Sequence, residues 1–369
     1  MGKTLVITSY KYMPPTNGGH KVCFDLCEKL SEVEEIVAVS SDNNELTEEL
    51  TYPFYGLFKD EKWKYIDPRF AYRLWDICKK ENVTTIFLQQ PYMMPFVWAV
   101  GKLLGIRTLL YAHNLEYKRW ETIGKWWSPL MYFWEKVMFQ LADHSLFISE
   151  SEMEEGEQVF QLKPSEVTFL PHMIDQESSP MKDELAKKEL KMSLGLSEDT
   201  FLLLYYAAFS YQPNAEGLAF VQNELLPYME RNADFPFHII VCGGGVEGEL
   251  KTSSSSYYQY LGFVDDLQKH ILGADVVLNP IYSGGGVKTK AIEAIGLGKT
   301  VVSFATGAEG IAVADCGEKL LISKDNQVEE FYQNLIRVKT QGDLPTPKTF
   351  YDRYYWKNVI KTLQGVVKK

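Results

Sequence analysis

DVVLNPIYSGGGVKTKAIEAIGLGKTVVSFATGAEGI, residues 275–311, reads as a strand, a glycine-rich loop, a helix, a glycine stop and a second strand. The first run, DVVLNP at 275–280, is apolar without alternation, as a strand covered on both faces of a parallel sheet should be. Gly284, Gly285 and Gly286 let the backbone come close to a ligand, and a helix beginning near Lys288 aims free N–H groups into the same space. Gly298 ends that helix before TVVSF at 300–304. Units of this kind build doubly wound α/β domains.

The same grammar extends in both directions. Strand-like runs precede it at 4–9 (TLVITS), 35–40 (EIVAVS), 84–89 (TTIFLQ), 107–112 (RTLLYA), 145–149 (SLFIS) and 167–171 (VTFLP). Stretches such as His20–Leu30 and Pro129–Leu141 supply crossover helices. A second series runs through 201–206 (FLLLYY), 237–242 (FHIIVC), 275–280, 300–304 and 319–323 (KLLIS). Between the series, residues 176–198 are charged and lack a core-forming run. The expected organisation is therefore a Rossmann-like domain at 1–175, a connection at 176–198, a second such domain at 199–349 and a terminal helix at 350–369. That helix carries Tyr354, Tyr355, Trp356, Ile360 and Leu363, an apolar face that needs a neighbour.

Composition removes several function classes. The 369 residues allow two domains with large cores. A net charge of −11 argues against nucleic acid as a partner, because binding there needs a concentrated basic field. No run approaches the length of a membrane-spanning helix. MGKTLVITSY enters a strand directly, without a signal-peptide core. The five cysteines (Cys23, Cys27, Cys78, Cys242, Cys316) form no CxxC pair and read as reduced thiols of a cytoplasmic protein. Cys23 and Cys27 sit at helical spacing with Val22, Leu26 and Leu30, which is core patterning rather than a metal pair.

Chemistry concentrates at loops that follow strands. Lys288 and Lys290 occupy a helix start, where the dipole disfavours cations, so an anion in the site would explain them. Glu293, one turn later, could then accept from ribose hydroxyls. CGGG at 242–245 ends a further strand and GFVDDL at 262–267 follows, with Asp265 or Asp266 as a helix cap. AAFSYQPN at 207–214 leads into a helix near Asn214. In the first domain, PPTNGGH at 14–20 brings Gly18 and Gly19 to a strand's carboxyl side, and YAHNLE at 111–116 places His113, Asn114 and Glu116 there too. Next comes YKRWETIGKWWSPLMYFW at 117–134, tryptophans among basic residues. It reads either as a surface resting at lipid headgroups or as the core face of the following helix. His172 sits in a loop near the domain junction, and the Ser253–Ser256 run reads as a flexible loop.

These motifs together resemble the retaining glycosyltransferases of the GT-B fold, in the family-4-like, group-1 class. The match is to the subgroup with HN-x-E, a Y-x-P-N turn and GGG-x-K-x-K-x-x-E-A. Here those are His113-Asn114-Leu115-Glu116, Tyr211-Gln212-Pro213-Asn214 and Gly284 through Ala294. The resemblance runs in order over nearly the whole chain, with Gly18-Gly19, Gly262–Leu267 and Gly307–Gly310 between the main motifs. It implies two Rossmann-like domains facing across a cleft, with the C-terminal helix crossing back to the first.

The resemblance also assigns roles. A nucleoside-diphosphate sugar would lie against Asn214, Gly243, Val264, Gly284, Gly285, Gly286, Val287, Lys288, Lys290, Glu293 and Glu309, with Gly18 and Gly19 near its phosphates. His113, Lys290 and Glu293 would act at the reacting centre, while Asn114, Glu116 and Trp120 would hold a glycan or lipid-linked acceptor. Neither a cofactor nor a metal is expected, since lysines and helix dipoles do the charge work. The enzyme would be cytoplasmic, touching the inner membrane face through 117–134.

Two departures from the wider family stand out. Gly285 occupies the place of the first glutamate of an E-x7-E pair, and AAFSYQPN lacks the Arg and Lys often found there. A sugar-nucleotide epimerase, or a silent nucleotide-sugar-binding partner subunit, therefore stays open beside glycosyl transfer.

Overall fold

The computed structural model describes residues 2–46, 49–122, 124–180, 184–246, 255–342 and 344–368. Ser253 and Ser254 of the serine run, Ile123 of the aromatic segment and residues 181–183 of the charged connection lie outside them. The chain divides into two compact units. One comprises Met1–Met173, Gly285–Val287 and Tyr354–Lys369, the other Ile174–Gly284 and Lys288–Arg353.

The first unit is built on seven strands: β1 (Lys3–Thr8), β2 (Ile36–Ser41), β3 (Phe54–Phe58), β4 (Val83–Gln89), β5 (Arg107–Ala112), β6 (His144–Phe147) and β7 (Val167–Phe169). All pairings are parallel, in the order β3-β2-β1-β4-β5-β6-β7. Strand pleating sorts the side chains. Leu5, Ile7, Ile86, Leu88 and Leu110 face one core, whereas Val6, Phe87, Leu109 and Tyr111 face another.

The first core is covered by α2 (Arg69–Lys80), α3 (Met94–Leu104), α5 (Ser128–Leu141) and α6 (Glu150–Phe160), the second by α1 (Gly18–Ser31) and by α16 (Trp356–Val367) from the far end of the chain. Trp356, Val359, Ile360, Leu363 and Val366 of α16 lie in one core with Val22, Leu26 and Leu30 of α1. The terminal apolar face thus finds its neighbour in the first unit. A short α4 (Glu116–Thr122) lies between β5 and α5.

The second unit holds β8 (Phe201–Tyr206), β9 (Phe237–Cys242), β10 (Tyr258–Gly262), β11 (Val276–Asn279), β12 (Val301–Phe304) and β13 (Leu320–Ser323), parallel in the order β10-β9-β8-β11-β12-β13. Its helices run from α7 (Glu184–Ser193) through α8 (Gln212–Phe220), α9 (Leu226–Asn232), α10 (Leu267–Gly273) and α11 (Thr289–Gly296). They continue with α12 (Ala305–Ala308), α13 (Val313–Cys316), α14 (Val328–Gln341) and α15 (Lys348–Tyr354).

Part of the charged connection is therefore helical. Helix α7 buries Leu190 beside Gly273, and Lys187 and Lys191 both pair with Asp275, at 3.3 and 3.0 Å.

Two strands escaped the sequence reading, β3 and β10. Both are sheet edges with mixed burial, so neither shows the continuous apolar run of a central strand. Helix α8 also starts at Gln212, two residues before the expected Asn214. All five cysteines are buried and free, and burial pushes the Cys23 thiol up to about 12, which leaves it inert.

Candidate active site

In a parallel sheet the loops at the carboxyl ends of the strands gather where the chain reverses its winding. In the second unit this switch lies between β8 and β11. The segments after those strands are 207–211 and 280–288, two of the stretches singled out from the sequence.

Lys290 is the centre of this group. It lies in the first turn of α11, whose N-cap position is Lys288, and no side chain caps the helix start. The Lys290 Nζ donates to Asn214 Oδ1 at 3.4 Å and sits 4.8 Å from the Tyr205 ring centroid. Burial, aided by the neighbouring charge of Lys288, lowers its pKa to about 7, and no carboxylate among the described residues offsets this. Asn214 is itself oriented by its Nδ2 donating to the Ala208 carbonyl at 2.9 Å. Tyr206 Oη donates to the Lys290 carbonyl at 2.8 Å, and Glu293, half-buried, adds to the upward shift of that phenol.

The glycine loop has little room. Gly284 adopts φ +74°, and a Cβ there would lie 2.7 Å from Pro213 Cγ and 2.8 Å from Tyr211 Oη. Lys288 Nζ donates to the Gly284 carbonyl at 3.4 Å. Gly286 also has a positive φ, +79°, while Gly285 and Val287 complete the turn.

The neighbouring loops are tied in. Gly243 donates its N–H to the Gly262 carbonyl at 2.7 Å and accepts from Tyr260 Oη at 2.7 Å, which fixes the loop bearing half-buried Val264. Asp266 caps α10 by accepting from the Lys269 N–H at 2.9 Å. Glu309 is exposed just beyond α12, in a turn anchored by Asn279 Nδ2 donating to the Gly307 carbonyl at 2.8 Å.

In the first unit, Gly18 and Gly19 are exposed in the first turn of α1, which Asn17 caps by accepting from the His20 N–H at 3.0 Å. His113 and Asn114 follow β5. Among the described residues, both ring nitrogens of His113, Asn114 Nδ2 and Trp120 Nε1 are buried with no hydrogen-bond partner. Leaving such groups unpaired is costly, so their grouping marks a surface suited to a polar ligand. Burial, with the charge of nearby His172, lowers the His113 pKa to about 3, so the imidazole is neutral near neutral pH. It can exchange hydrogen bonds but carries no charge.

Glu116 is buried against Arg119 at 3.2 Å. Trp120 packs on Trp127 with centroids 4.8 Å apart, and the Arg119 guanidinium lies 5.1 Å from the Trp120 ring.

The model for Glycosyltransferase Family 4 matches residues 16–178, and that for Glycosyl transferases group 1 matches residues 200–341. The chain belongs to this glycosyltransferase family.

Solved structures align with the glycosyltransferase over its full length. Sucrose-phosphate synthase from Thermosynechococcus elongatus superposes with a TM-score of 0.74 at 15% identity, covering 100% of this chain and 98% of that one. Anabaena HepE in complex with UDP gives 0.75 at 11% identity, with 100% of both chains covered. WaaG, a glycosyltransferase involved in lipopolysaccharide biosynthesis, gives 0.67 at 14% identity over 99% of both. Identities this low speak for the fold, which is GT-B. No curated protein matches by sequence.

The structure also shows residues that hold the segment after β5 and that the motifs did not reveal. Glu135 of α5 is fully buried and accepts from the N–H groups of Glu116 and Tyr117, both at 2.9 Å, fixing the start of α4. Burial raises its pKa to about 8, against those two hydrogen bonds. Glu152 Oε1 accepts from the Leu115 N–H at 3.2 Å. Glu135 follows Met131 by four residues and precedes Met138 by three. A charge on the apolar face of a helix was therefore the available signal. Among the described residues, no group of three His, Cys, Asp or Glu could hold a metal, and no helix is long and apolar enough to cross a membrane.

Proposed function

We propose that this glycosyltransferase takes a nucleoside-diphosphate sugar as donor and transfers the sugar, with retention of anomeric configuration, to a glycan or lipid-linked acceptor. The observation that carries the donor assignment is Lys290. A half-buried lysine at an uncapped helix start, its pKa drawn down with no carboxylate among the described residues to offset it, is suited to an anion. A diphosphate there would meet the α11 N–H groups, Lys288, Lys290 and the backbone of Gly284, Gly285, Gly286 and Val287. Glu293 would take the ribose, Gly243 and Val264 the base side, and Glu309 with Asn214 the sugar. By the family resemblance, Gly18 and Gly19 would also serve the phosphates. HepE structures that contain UDP or UDP-glucose support the donor class by analogy.

The leaving diphosphate gains negative charge as the glycosidic bond breaks. Fixed N–H dipoles and a half-buried lysine stabilise that charge without reorganising, which makes a metal unnecessary in this reading. The buried Glu116 and Glu135 and the half-buried Glu152 are engaged elsewhere, Glu116 with Arg119, and Glu135 and Glu152 with backbone N–H groups. That favours front-face attack, with the leaving phosphate taking the acceptor proton, over a carboxylate nucleophile. Neutral His113, with Asn114, Glu116 and Trp120, would hold the acceptor beside the transferred sugar. WaaG's part in lipopolysaccharide biosynthesis supports a glycan or lipid-linked acceptor by analogy, and with it work at the cytoplasmic membrane face through 117–134.

Thermal unfolding with UDP, GDP, ADP, CMP and their sugar conjugates, with and without EDTA, tests the donor site. One nucleotide family should raise the melting point by several degrees at about 100 times its dissociation constant. The shift should survive EDTA and vanish in Lys290→Ala and Glu293→Ala. No shift with any nucleotide would refute the assignment, and the anomeric proton coupling of the product would decide retention.

A further inference from the structure

Two consecutive tyrosines of β8 grip Lys290. Tyr206 Oη donates to its carbonyl at 2.8 Å, and the Tyr205 ring faces its ammonium, with Nζ 4.8 Å from the centroid. Tyr205 is fully buried and held by its neighbours. Its Oη donates to the Asn214 carbonyl at 2.9 Å, and Phe209 meets the ring edge-on at a centroid distance of 5.5 Å. Gly217 of α8 leaves room for it: a Cβ there would lie 2.7 Å from Tyr205 Oη and 2.9 Å from the Pro280 carbonyl oxygen. Glycine inside a helix is less stable than alanine, so this space is kept at a cost. Asn214, whose carbonyl takes the Tyr205 hydroxyl, also accepts from Lys290 Nζ through Oδ1. Ring, amide and ammonium are therefore linked.

A ring is the counterpart that an anion site needs. Lys290 loses hydration on burial and is repelled by Lys288, and both effects favour the uncharged amine. Burial pushes up the Tyr205 and Tyr206 phenols, that of Tyr206 with help from Glu293, so both stay neutral. Tyr205 thus presents the negative face of a ring quadrupole, which favours an ammonium without neutralising it. A carboxylate in that place would hold the lysine more strongly but would cancel the charge offered to a diphosphate.

We propose that Tyr205 is a positioning residue of the donor site, its ring face holding the Lys290 side chain in place as an ammonium whose charge stays available to a diphosphate. This deepens the donor assignment and rests on it for what the ammonium meets. The pairing of ring and ammonium itself needs no ligand.

Two measurements on the full chain test it, with thermal unfolding of each variant to show that it is folded. The first is a pH titration of the lysine 13Cε signals without ligand, the Lys290 signal being assigned by its loss in Lys290→Arg. Tyr205→Leu and Tyr205→Met, which remove the ring but stay apolar, should move the Lys290 titration down by about half to one and a half pH units. Tyr205→Phe, which keeps the ring, should leave it in place. The second is calorimetric titration at neutral pH with whichever of UDP, GDP, ADP or CMP stabilises the wild type. Tyr205→Leu and Tyr205→Met should weaken binding about threefold to thirtyfold, and Tyr205→Phe should restore it. Leu225→Ala, a cavity elsewhere in the same core, should leave affinity unchanged, which separates the ring from a general loss of packing. A Lys290 titration that is the same in the wild type and the ringless variants would overturn the proposal, as would Tyr205→Phe binding as weakly as Tyr205→Leu. Nucleotide binding that survives loss of the ring sinks the positioning role alone. No nucleotide binding by the wild type sinks the donor assignment and the positioning role together.

Discussion

Lys290, half-buried, and Glu135, fully buried, are both ionisable groups shifted by desolvation, and their titrations have opposite consequences. Lys290 is protonated below its pKa of about 7, and the ammonium is the form that attracts a diphosphate. Donor affinity should therefore hold on the acid side and weaken as pH rises above 7. Lys290→Arg, charged throughout, should flatten that profile, and Lys290→Ala should weaken nucleotide binding about tenfold to a hundredfold at neutral pH. Calorimetric titration with the bound nucleotide across pH reads both. For Glu135, the folded pKa of about 8 lies above the ordinary 4.5 of a glutamate, so between those values the folded protein holds a proton that the unfolded chain has released. Its contribution is fully present below pH 4.5 and is lost as pH rises through 8. Melting points of the wild type should fall across that window relative to those of Glu135→Gln, whose amide does not titrate.

At the level of the element, α11 is built against its own stability. Helix starts favour Asp, Asn, Ser or Thr at the N-cap and acids in the first turn, yet here Lys288 occupies the N-cap position without capping and the first turn contains no acid. Lys288→Asp should stabilise the helix by about 0.5–2 kcal/mol while reducing nucleotide affinity, because the new carboxylate faces the proposed diphosphate. Thermal unfolding with and without nucleotide reads the two effects separately. A fall in both stability and affinity would show that Lys288 is structural. Gly284 is constrained differently. A methyl group there would meet Pro213 and Tyr211 below van der Waals distance at a positive φ, so Gly284→Ala should distort the loop itself.

At the scale of the whole molecule, the first unit is discontinuous in sequence. Its second core is completed by Trp356–Val367, residues that follow the whole of the second unit. Leu363→Ala should cost about 2–5 kcal/mol of the first unit's stability. Leu225→Ala, also fully buried, should cost a similar amount in the second. Scanning calorimetry should assign the two losses to different transitions. A Leu363→Ala loss confined to the second unit's transition would contradict the packing.

Much of this was legible in the chain, because central parallel strands are covered on both faces and must be continuously apolar. The runs at β1, β5, β8 and β9 announce themselves for that reason, as do glycines and lysines at a strand-to-helix turn. Edge strands β3 and β10 are half in solvent and carry no such signature. Pattern determined the α/β class, the strand series, the family and the motif residues. Only the tertiary structure decided that Lys290 bonds to Asn214, that Glu135 holds the start of α4, and that α16 covers α1. The reason is physical: burial and proximity depend on what packs from distant parts of the chain, and a lysine or glutamate has the same letter whether water or a closed core surrounds it.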